Sequence, residues 1–227
     1  VRYTPLHKGR GDVIVTQYDM SAIGDLALKI DLLGLSTMTD IRNVLELAGL
    51  DYAFLKRIPL DDHVTLQLLR DADTDGVFQV SSMLFKRLLK EVQPMNFGEL
   101  ADIVALGRPG PGSMADSYIA RKHGREPIDY PHSRMEPILR NTHGIMIYQE
   151  QVMNLAKELA GYTLGQADLL RKAMGKKLPE VMEKERARFV EGCAHSDINE
   201  KAANEIFDHI AEFASYGFNA SHSVSYA

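Results

Sequence analysis

The chain has 227 residues, 45% of them hydrophobic and 25% charged, which is typical of a globular protein with one large domain or two modest ones. Its formal net charge of −5 argues against a surface that coats nucleic acid generally, although a local basic groove is compatible with that charge. The single cysteine, Cys193, excludes an intrachain disulfide framework, and no apolar run reaches the ~18 residues of a membrane span. We therefore expect a protein of a reducing compartment with no membrane partner.

Two β-strands are predicted near the N-terminus, after residues 1–10, which show little pattern. Asp12–Tyr18 is rich in β-branched residues, and Leu26–Leu33 alternates apolar and polar residues. In the second strand Lys29 and Asp31 stand two positions apart, so they project from one face, roughly 7 Å from each other. The pair is either a solvated pair of charges at a sheet edge, or a metal-binding carboxylate beside a phosphate-binding lysine.

From Gly34 onward the sequence pattern becomes almost wholly helical. Apolar spacing, with glycine and proline at the ends of the periodic segments, predicts a series of helices. They run from Thr37 or Thr39 to Ala48, from Leu60 to Arg70, and over Ser82–Glu91, Phe97–Leu106, Met114–His123, Met135–Arg140, Pro179–Cys193 and Ile198–Ser215. The predicted fold class is mainly α, with a short mixed β piece over residues 1–34 and a helical domain over residues 35–227.

The stretch Tyr148–Lys177 is the most informative part of the sequence. It predicts an amphipathic helix that stops at Gly161 and a second helix that starts at Thr163 or Gly165. The second helix ends in four cations with no acid among them: Arg171, Lys172, Lys176 and Lys177. These cations either complement the negative end of a helix or form a patch that faces phosphate groups.

Two other segments carry candidate chemistry. The loop Gly107–Ser113, GRPGPGS, ends a helix, and without a flanking strand it is interpreted as a connector rather than a P-loop. His222 and Tyr226 stand four residues apart and share a helix face. For that pair a packed polar contact is a simpler interpretation than a catalytic dyad.

Several motifs occur in an order that resembles one protein family. They are LKIDLLGL, GRPGP followed by RKHGRE, YQEQVM, LAGYTLGQADLLRKAMGKK and YGFNASHSVSYA. Together they closely resemble the alpha subunit of bacterial DNA polymerase III, the C-family replicative DNA polymerase, over nearly the whole chain. The sequence starts at Val1 rather than methionine and stops inside a helical pattern, so we expect it to be a segment of a longer protein.

The resemblance implies a domain and a role for each candidate residue. Residues 1–34 would be the C-terminal part of a palm domain with a nucleotidyltransferase-type sheet, and residues 35–227 would be helical fingers. Asp31 would be one of three aspartates that hold two Mg²⁺ ions, and Lys29 would lie beside the incoming triphosphate, both at the catalytic centre. In the fingers, Arg171 and Lys172 would contact the triphosphate, Lys176 and Lys177 would lie near it or near DNA, and Arg108, Asn219, His222 and Tyr226 would lie close to the nucleotide pocket.

The implied activity is template-directed DNA synthesis, in which a primer 3′-hydroxyl attacks the α-phosphorus of a dNTP and pyrophosphate leaves. The implied partners are primer–template DNA, a dNTP and other replicase subunits, including the sliding clamp and clamp loader through domains outside this segment, in the cytoplasm. The alternative is a non-catalytic module that binds nucleotides or nucleic acid and derives from the fingers. Retention of Asp31 with Lys29 favours the enzyme, because a binding module has no use for a metal carboxylate. A helical interaction scaffold would explain the amphipathic patterns but not the four clustered cations.

The chain also departs from the family pattern. The other two palm aspartates belong upstream of this segment, and one carboxylate cannot hold two Mg²⁺ ions, so the chain alone is expected to lack polymerase activity. The family usually has a lysine at the position of Ala220, a glutamate near Ser81 and an aromatic residue at the position of Gly107.

Overall fold

The structure of the protein is a computed structural model. It describes residues 2–24, 26–27, 30, 34–108, 112–176, 179–213 and 216–227. The predicted site residues Lys29, Asp31 and Lys177, and most of the strand predicted over residues 26–33, lie outside the described residues. The chain divides into two compact units, Val1–Arg57 and Ile58–Ala227.

The N-terminal unit begins with a two-stranded antiparallel sheet. Strand β1 (Leu6–Lys8) pairs with β2 (Ile14–Thr16), with His7 opposite Val15. Thus β2 occupies the centre of the strand predicted over residues 12–18, whereas β1 falls in the stretch where no pattern was found. A short pattern of three residues, all exposed in β1, carries too little periodicity to predict a strand.

Two helices complete the first unit, α1 (Met20–Ile23) and α2 (Ser36–Ala48), followed by a 3₁₀ turn at Tyr52–Arg57. Helix α2 ends as predicted at Gly49, whose φ of 68° lets its amide return to the carbonyls of the last turn. The predicted threonine cap is wrong, because the position that precedes the helix is Leu35, whose side chain makes no capping hydrogen bond. The first unit therefore includes α2, and the domain boundary at residue 34 stays a prediction.

The second unit is built from helices. In chain order they are α3 (His63–Asp71), α4 (Met83–Val92), α5 (Phe97–Leu106), α6 (Gly112–Lys122), α7 (Glu136–Leu139), α8 (Gln149–Ala160), α9 (Leu164–Lys176), α10 (Pro179–Ala194), α11 (Glu200–Phe213) and α12 (Ala220–Tyr226). Two 3₁₀ turns, Ser133–Met135 and Arg140–Thr142, flank α7. The mainly α fold class is confirmed, with a small sheet before the helices.

Local capping chemistry sets where several of these helices start. Asp62, Ser82 and Asn96 each accept a hydrogen bond from the backbone amide three residues later, at 2.7, 3.5 and 3.0 Å. Helix α3 was predicted to start near Leu60, which is too early, because Asp62 caps the helix instead of lying in its first turn. Where the cap and the apolar pattern agree, as in α5, the predicted limits are those of the structure.

The apolar side chains of the second unit form two clusters that meet near the start of α8. One cluster lies among α3 to α6, and the other is centred on α8, α9, α10 and α11. Helix α10 crosses α8 so closely that a Cβ added at Gly192 would lie 2.2 Å from the carbonyl oxygen of Ala160. Among the described residues, no helix has the length and hydrophobicity needed to cross a lipid bilayer.

Candidate functional site

Arg171 and Lys172, near the end of α9, share the carboxylate of Asp168 one turn earlier. Asp168 Oδ1 accepts hydrogen bonds from Arg171 Nε at 3.0 Å and Nη2 at 2.8 Å, and Oδ2 lies 2.7 Å from Lys172 Nζ. The hydrogen bond from Lys172 and then those from Arg171 lower the pKa of Asp168 below its ordinary value. The three side chains therefore carry a net charge of +1, and all three are reached by solvent, with Lys172 57% exposed.

A parallel β-bridge joins the start of α8 to the segment before α12. The amide of Phe218 donates to the Ile147 carbonyl at 3.0 Å, and the amide of Gln149 donates to the Phe218 carbonyl at 2.8 Å. The Gln149 side chain extends this bridge to α9, since its Nε2 donates to the Gly217 carbonyl at 3.0 Å and its Oε1 accepts from Arg171 Nη1 at 3.2 Å. One glutamine thus links the basic end of α9 to the segment that leads into α12.

The next residue, Glu150, fixes the start of α12. Its Oε1 accepts a hydrogen bond from Asn219 Nδ2 at 2.8 Å, and its Oε2 accepts from the Ala220 amide at 3.0 Å. Asn219 in turn caps α12, because its Oδ1 accepts from the His222 amide at 2.8 Å. Both ends of the Asn219 amide group are therefore held, and the orientation of this predicted site residue is set by α8.

Arg108 reaches the same bridge from the end of α5. Its Nε donates to the Ala105 carbonyl at 2.9 Å, its Nη2 donates to the Tyr216 carbonyl at 3.0 Å, and its guanidinium carbon lies 4.1 Å from the centre of the Phe218 ring. Stacking of a guanidinium on an aromatic face is favourable. Burial lowers the pKa of Arg108 from its ordinary value.

A row of rings continues from Phe218 along α12. The Phe218 and His222 rings meet edge to face with centroids 5.1 Å apart, and His222 stacks on Tyr226 at 4.3 Å with 14° between their planes. Tyr226 then lies 5.7 Å from Phe78, in the loop between α3 and α4. The predicted packing of His222 on Tyr226 is present, as a stacked ring pair.

A buried carboxylate, that of Asp102 in α5, connects α5 to α6 and to the start of α8. Asp102 is 4% exposed, and its two oxygens accept hydrogen bonds from Tyr118 at 2.8 Å and from Tyr148 at 2.7 Å. Burial raises the pKa of Asp102 to about 6, against the opposing effect of the two tyrosine hydroxyls. Ser223 of α12 donates to the Ala101 carbonyl next to this carboxylate, so α12 is attached to the same support.

The predicted nucleotide-binding residues thus fall into two groups. The first group is connected in the structure, through the Tyr148–Phe218 bridge, through Asp168 or through the row of rings. Its members are Arg108, Arg171, Lys172, Asn219, His222 and Tyr226. Of Lys176 only the backbone at the end of α9 is described, and Lys29, Asp31 and Lys177 lie outside the described residues. Within the described part of the chain, no group of three or more histidine, cysteine or acidic side chains is placed to hold a metal ion.

Sequence reasoning missed the acceptors that position these cations. Asp168 stands three and four residues before Arg171 and Lys172, which is the spacing of ion pairs on one helix face, so its role was readable from the sequence. Gln149 and Glu150 carried no such local signal. Their partners lie 68 to 70 residues away in the chain and are brought near only by the packing of α8 against the segment before α12.

Comparison with known proteins identifies the family. A model of the bacterial DNA polymerase III alpha subunit finger domain matches residues 35–197 of the chain. The chain belongs to this finger-domain family. Its relatives include the DNA polymerase III subunit alpha of Escherichia coli strain K12, 47% identical over 94% of this chain, and that of Pseudomonas aeruginosa strain PAO1, 46% identical over 95% of it. The DNA polymerase III subunit alpha of Aquifex aeolicus strain VF5 is 42% identical over 98% of the chain, and in each case the match spans 20% of the relative's own length.

Proposed function

We propose that the chain forms the fingers of a replicative DNA polymerase, together with the end of its palm, and that it binds the triphosphate of an incoming dNTP. Residues 1–34 would belong to the palm and residues 35–227 to the fingers. The family match supports this division, since it begins at residue 35. The names of the relatives support the activity, because all three are alpha subunits of DNA polymerase III.

The observation that carries the proposal is the convergence of cations on the bridge between α8 and the segment before α12. Arg171 and Arg108 come from positions 63 residues apart in the chain, and each donates to a group on or beside this bridge. A triphosphate carries several negative charges, and positioned cations stabilise both its binding and the charge that develops on phosphoryl transfer. Lys172 lies on the same face of α9 through Asp168 and adds a third positive group.

The remaining residues would complete the nucleotide pocket. Asn219 and the stacked rings of His222 and Tyr226 would face the nucleotide, held in place by Glu150. Lys176 and Lys177 would lie near the triphosphate or the DNA. These roles rest on the family motifs and on the attachment of α12 to α8.

The proposed reaction is attack of a primer 3′-hydroxyl on the α-phosphorus of the dNTP, with release of pyrophosphate. Asp31 would be one ligand of Mg²⁺, and Lys29 would lie beside the triphosphate. Bound Mg²⁺ supplies charge neutralisation and activation of the attacking hydroxyl. Primer–template DNA, the sliding clamp and the clamp loader would be partners of the whole polymerase in the cytoplasm, the last two through parts of it outside this chain.

A binding titration tests the nucleotide site. We expect the 227-residue chain to bind dATP at low ionic strength, and Arg171→Ala to weaken binding by about tenfold or more, since a hydrogen bond to a charged group contributes roughly 1.5–3 kcal/mol. Arg134→Ala is the matched control, because Arg134 is an exposed arginine outside this network. Equal losses in the two variants would contradict the assignment of the triphosphate to α9.

Primer extension tests the enzymatic part of the proposal. The chain alone should not extend a primer, since the family's other two palm aspartates are not among its residues and one carboxylate cannot hold two Mg²⁺ ions. The full-length polymerase with this sequence should extend it, and Asp31→Ala in that protein should abolish extension. Extension by the 227-residue chain that Asp31→Ala abolishes would overturn the first expectation. Nucleotide binding without extension by the full-length protein would favour a non-catalytic binding module.

A further inference from the structure

A cavity separate from the proposed nucleotide site opens on the second unit. Its volume is about 390 Å³, which lies in the range of pockets that bind small organic molecules. Its apolar lining includes Met114, Met135, Leu139, Ile145, Met146 and Phe213. None of the predicted nucleotide-binding residues lines it, so the family's chemistry assigns this cavity no occupant.

The methionines allow the lining of this cavity to adapt to ligands of different shapes. Three of the lining side chains are methionines, whose flexible thioethers adapt to irregular or varied partners and make favourable contacts with aromatic rings. Met135 is 2% exposed and forms part of the core, so the inner wall is fixed. Gly144 also lines the cavity, and its backbone lies close to Ile128, because a Cβ added at its φ of 76° would be 2.9 Å from that side chain.

The polar groups around the cavity leave an unbalanced negative charge. Asp129, His209 and Glu212 line it, and none of their side chains makes a hydrogen bond or ion pair with another described residue. The cation of the lining, Arg121, is already engaged, since its Nε donates to Glu126 at 2.7 Å and its Nη1 to the Gly144 carbonyl at 3.4 Å. Two carboxylates therefore remain to recognise a ligand.

We propose that this cavity binds a small organic cation with an apolar, preferably aromatic, body. The apolar body would lie against the methionines and Phe213, and the cationic group would lie between Asp129 and Glu212. An organic anion of the same size would meet two carboxylates, and Arg121 of the lining is already paired with Glu126. This proposal does not depend on nucleotide binding.

An occupant would also contact the proposed nucleotide site through one residue. Tyr216 lines the cavity, and its carbonyl is the acceptor for Arg108. The next residues along the chain are Gly217 and Phe218, which form the bridge to α8. A ligand that shifts Tyr216 would thus act on the arginine that stacks on Phe218.

Methyl NMR of the 227-residue chain labelled at its methionine methyl groups tests the proposal with two probes that share a phenylethyl body and differ in the sign of their charge. Phenethylammonium is the cation, and 3-phenylpropionate is the matched anion. The chain has ten methionines, so those outside the cavity serve as internal references for Met114, Met135 and Met146. We expect saturable shifts of these three methyl groups with the cation and much weaker binding of the anion.

Charge variants make the test specific. Each exposed carboxylate should contribute roughly two- to fivefold to the affinity for phenethylammonium. The double variant Asp129→Asn with Glu212→Gln should therefore bind this cation about tenfold more weakly. Glu191→Gln removes an exposed carboxylate from α10, away from the lining, and should leave the affinity unchanged. These substitutions are at exposed positions, so the methyl spectrum should show an intact fold. No saturable shift, equal binding of the two probes, or unchanged affinity in the double variant would each overturn the proposal.

Discussion

The carboxylate of Asp168 is expected to compete with a nucleotide triphosphate for the same two cations. It accepts hydrogen bonds from Arg171 and lies 2.7 Å from Lys172 Nζ, which leaves a net charge of +1 for the three side chains. A phosphate group that binds these cations must approach the carboxylate as well. Asp168→Asn should therefore strengthen the binding of a dNTP, provided that Gln149 still holds Arg171 in position.

The size of the effect follows from Coulomb's law. For a phosphate about 6 Å from the carboxylate and an effective dielectric constant of roughly 40–80, the repulsion is about 0.7–1.4 kcal/mol. This range of dielectric constant suits Asp168 because the side chain is 33% exposed. Its removal should tighten dNTP binding by about three- to tenfold. The cost in folding stability should stay below about 1 kcal/mol, since exposed ion pairs contribute little.

Equilibrium titration with dATP at low ionic strength measures this change. Glu158→Gln is the matched control, because it removes one negative charge from an exposed position on α8 that has no part in the network. The gain for Asp168→Asn should also shrink as salt is added, since screening weakens the repulsion. If Asp168→Asn bound dATP no better than the control, the carboxylate would be an orienting group for Arg171 and the competition argument would be refuted.

Three further predictions concern stability, and denaturant unfolding against the wild-type chain measures each of them. Burial raises the pKa of Asp102 from 3.8 to about 6. The protonated carboxyl therefore adds to the free energy of unfolding below about pH 4, and this contribution is lost as the pH rises through 6. The loss should reach about 3 kcal/mol at pH 7. In Asp102→Asn the free energy of unfolding should depend less on pH over this range, and an unchanged pH dependence would contradict the prediction. Gly192→Ala should cost about 3 kcal/mol or more, because its Cβ would overlap a carbonyl of α8, whereas Gly165→Ala, with open space around it, should cost nothing. Gly107→Ala should lower the free energy of unfolding by about 1–3 kcal/mol, because a Cβ there would lie 2.4 Å from the Phe85 ring. The loss should be smaller in a Phe85→Leu background, and equal losses in the two backgrounds would exclude this clash.

The sequence predicted helices well wherever the determining interactions are local. Helix α5 has its apolar positions, its Asn96 cap and its glycine end within one short segment, and its limits were predicted correctly. Errors arose at helix starts, where several neighbouring residues could be the cap and the sequence pattern does not choose between them. Asp62 was placed in a first turn and is a cap, and the threonines near the start of α2 lie within the helix while Leu35 precedes it.

The candidate site was predictable only in its charges. The cluster at the end of α9 stands out in the sequence because cations follow one another without an acid between them. The connection of Arg108 to Tyr216 spans 108 residues, and no periodicity reports a contact of that kind. Such contacts depend on how α5, α8 and α12 pack, so the family motifs supplied the grouping of residues that local patterns could not.

The departures from the family pattern differ in what the structure offers to explain them. At Gly107, where the resemblance implies an aromatic residue, the ring of Phe85 fills the space in which a side chain would project, so an aromatic group is present there from another helix. At Ala220, where the resemblance implies a lysine, Glu150 accepts hydrogen bonds from Asn219 and from the backbone amide of residue 220. Alanine at this position contributes no positive charge, so the proposed phosphate binding depends on Arg108, Arg171 and Lys172. Nothing in the structure explains the serine at position 81.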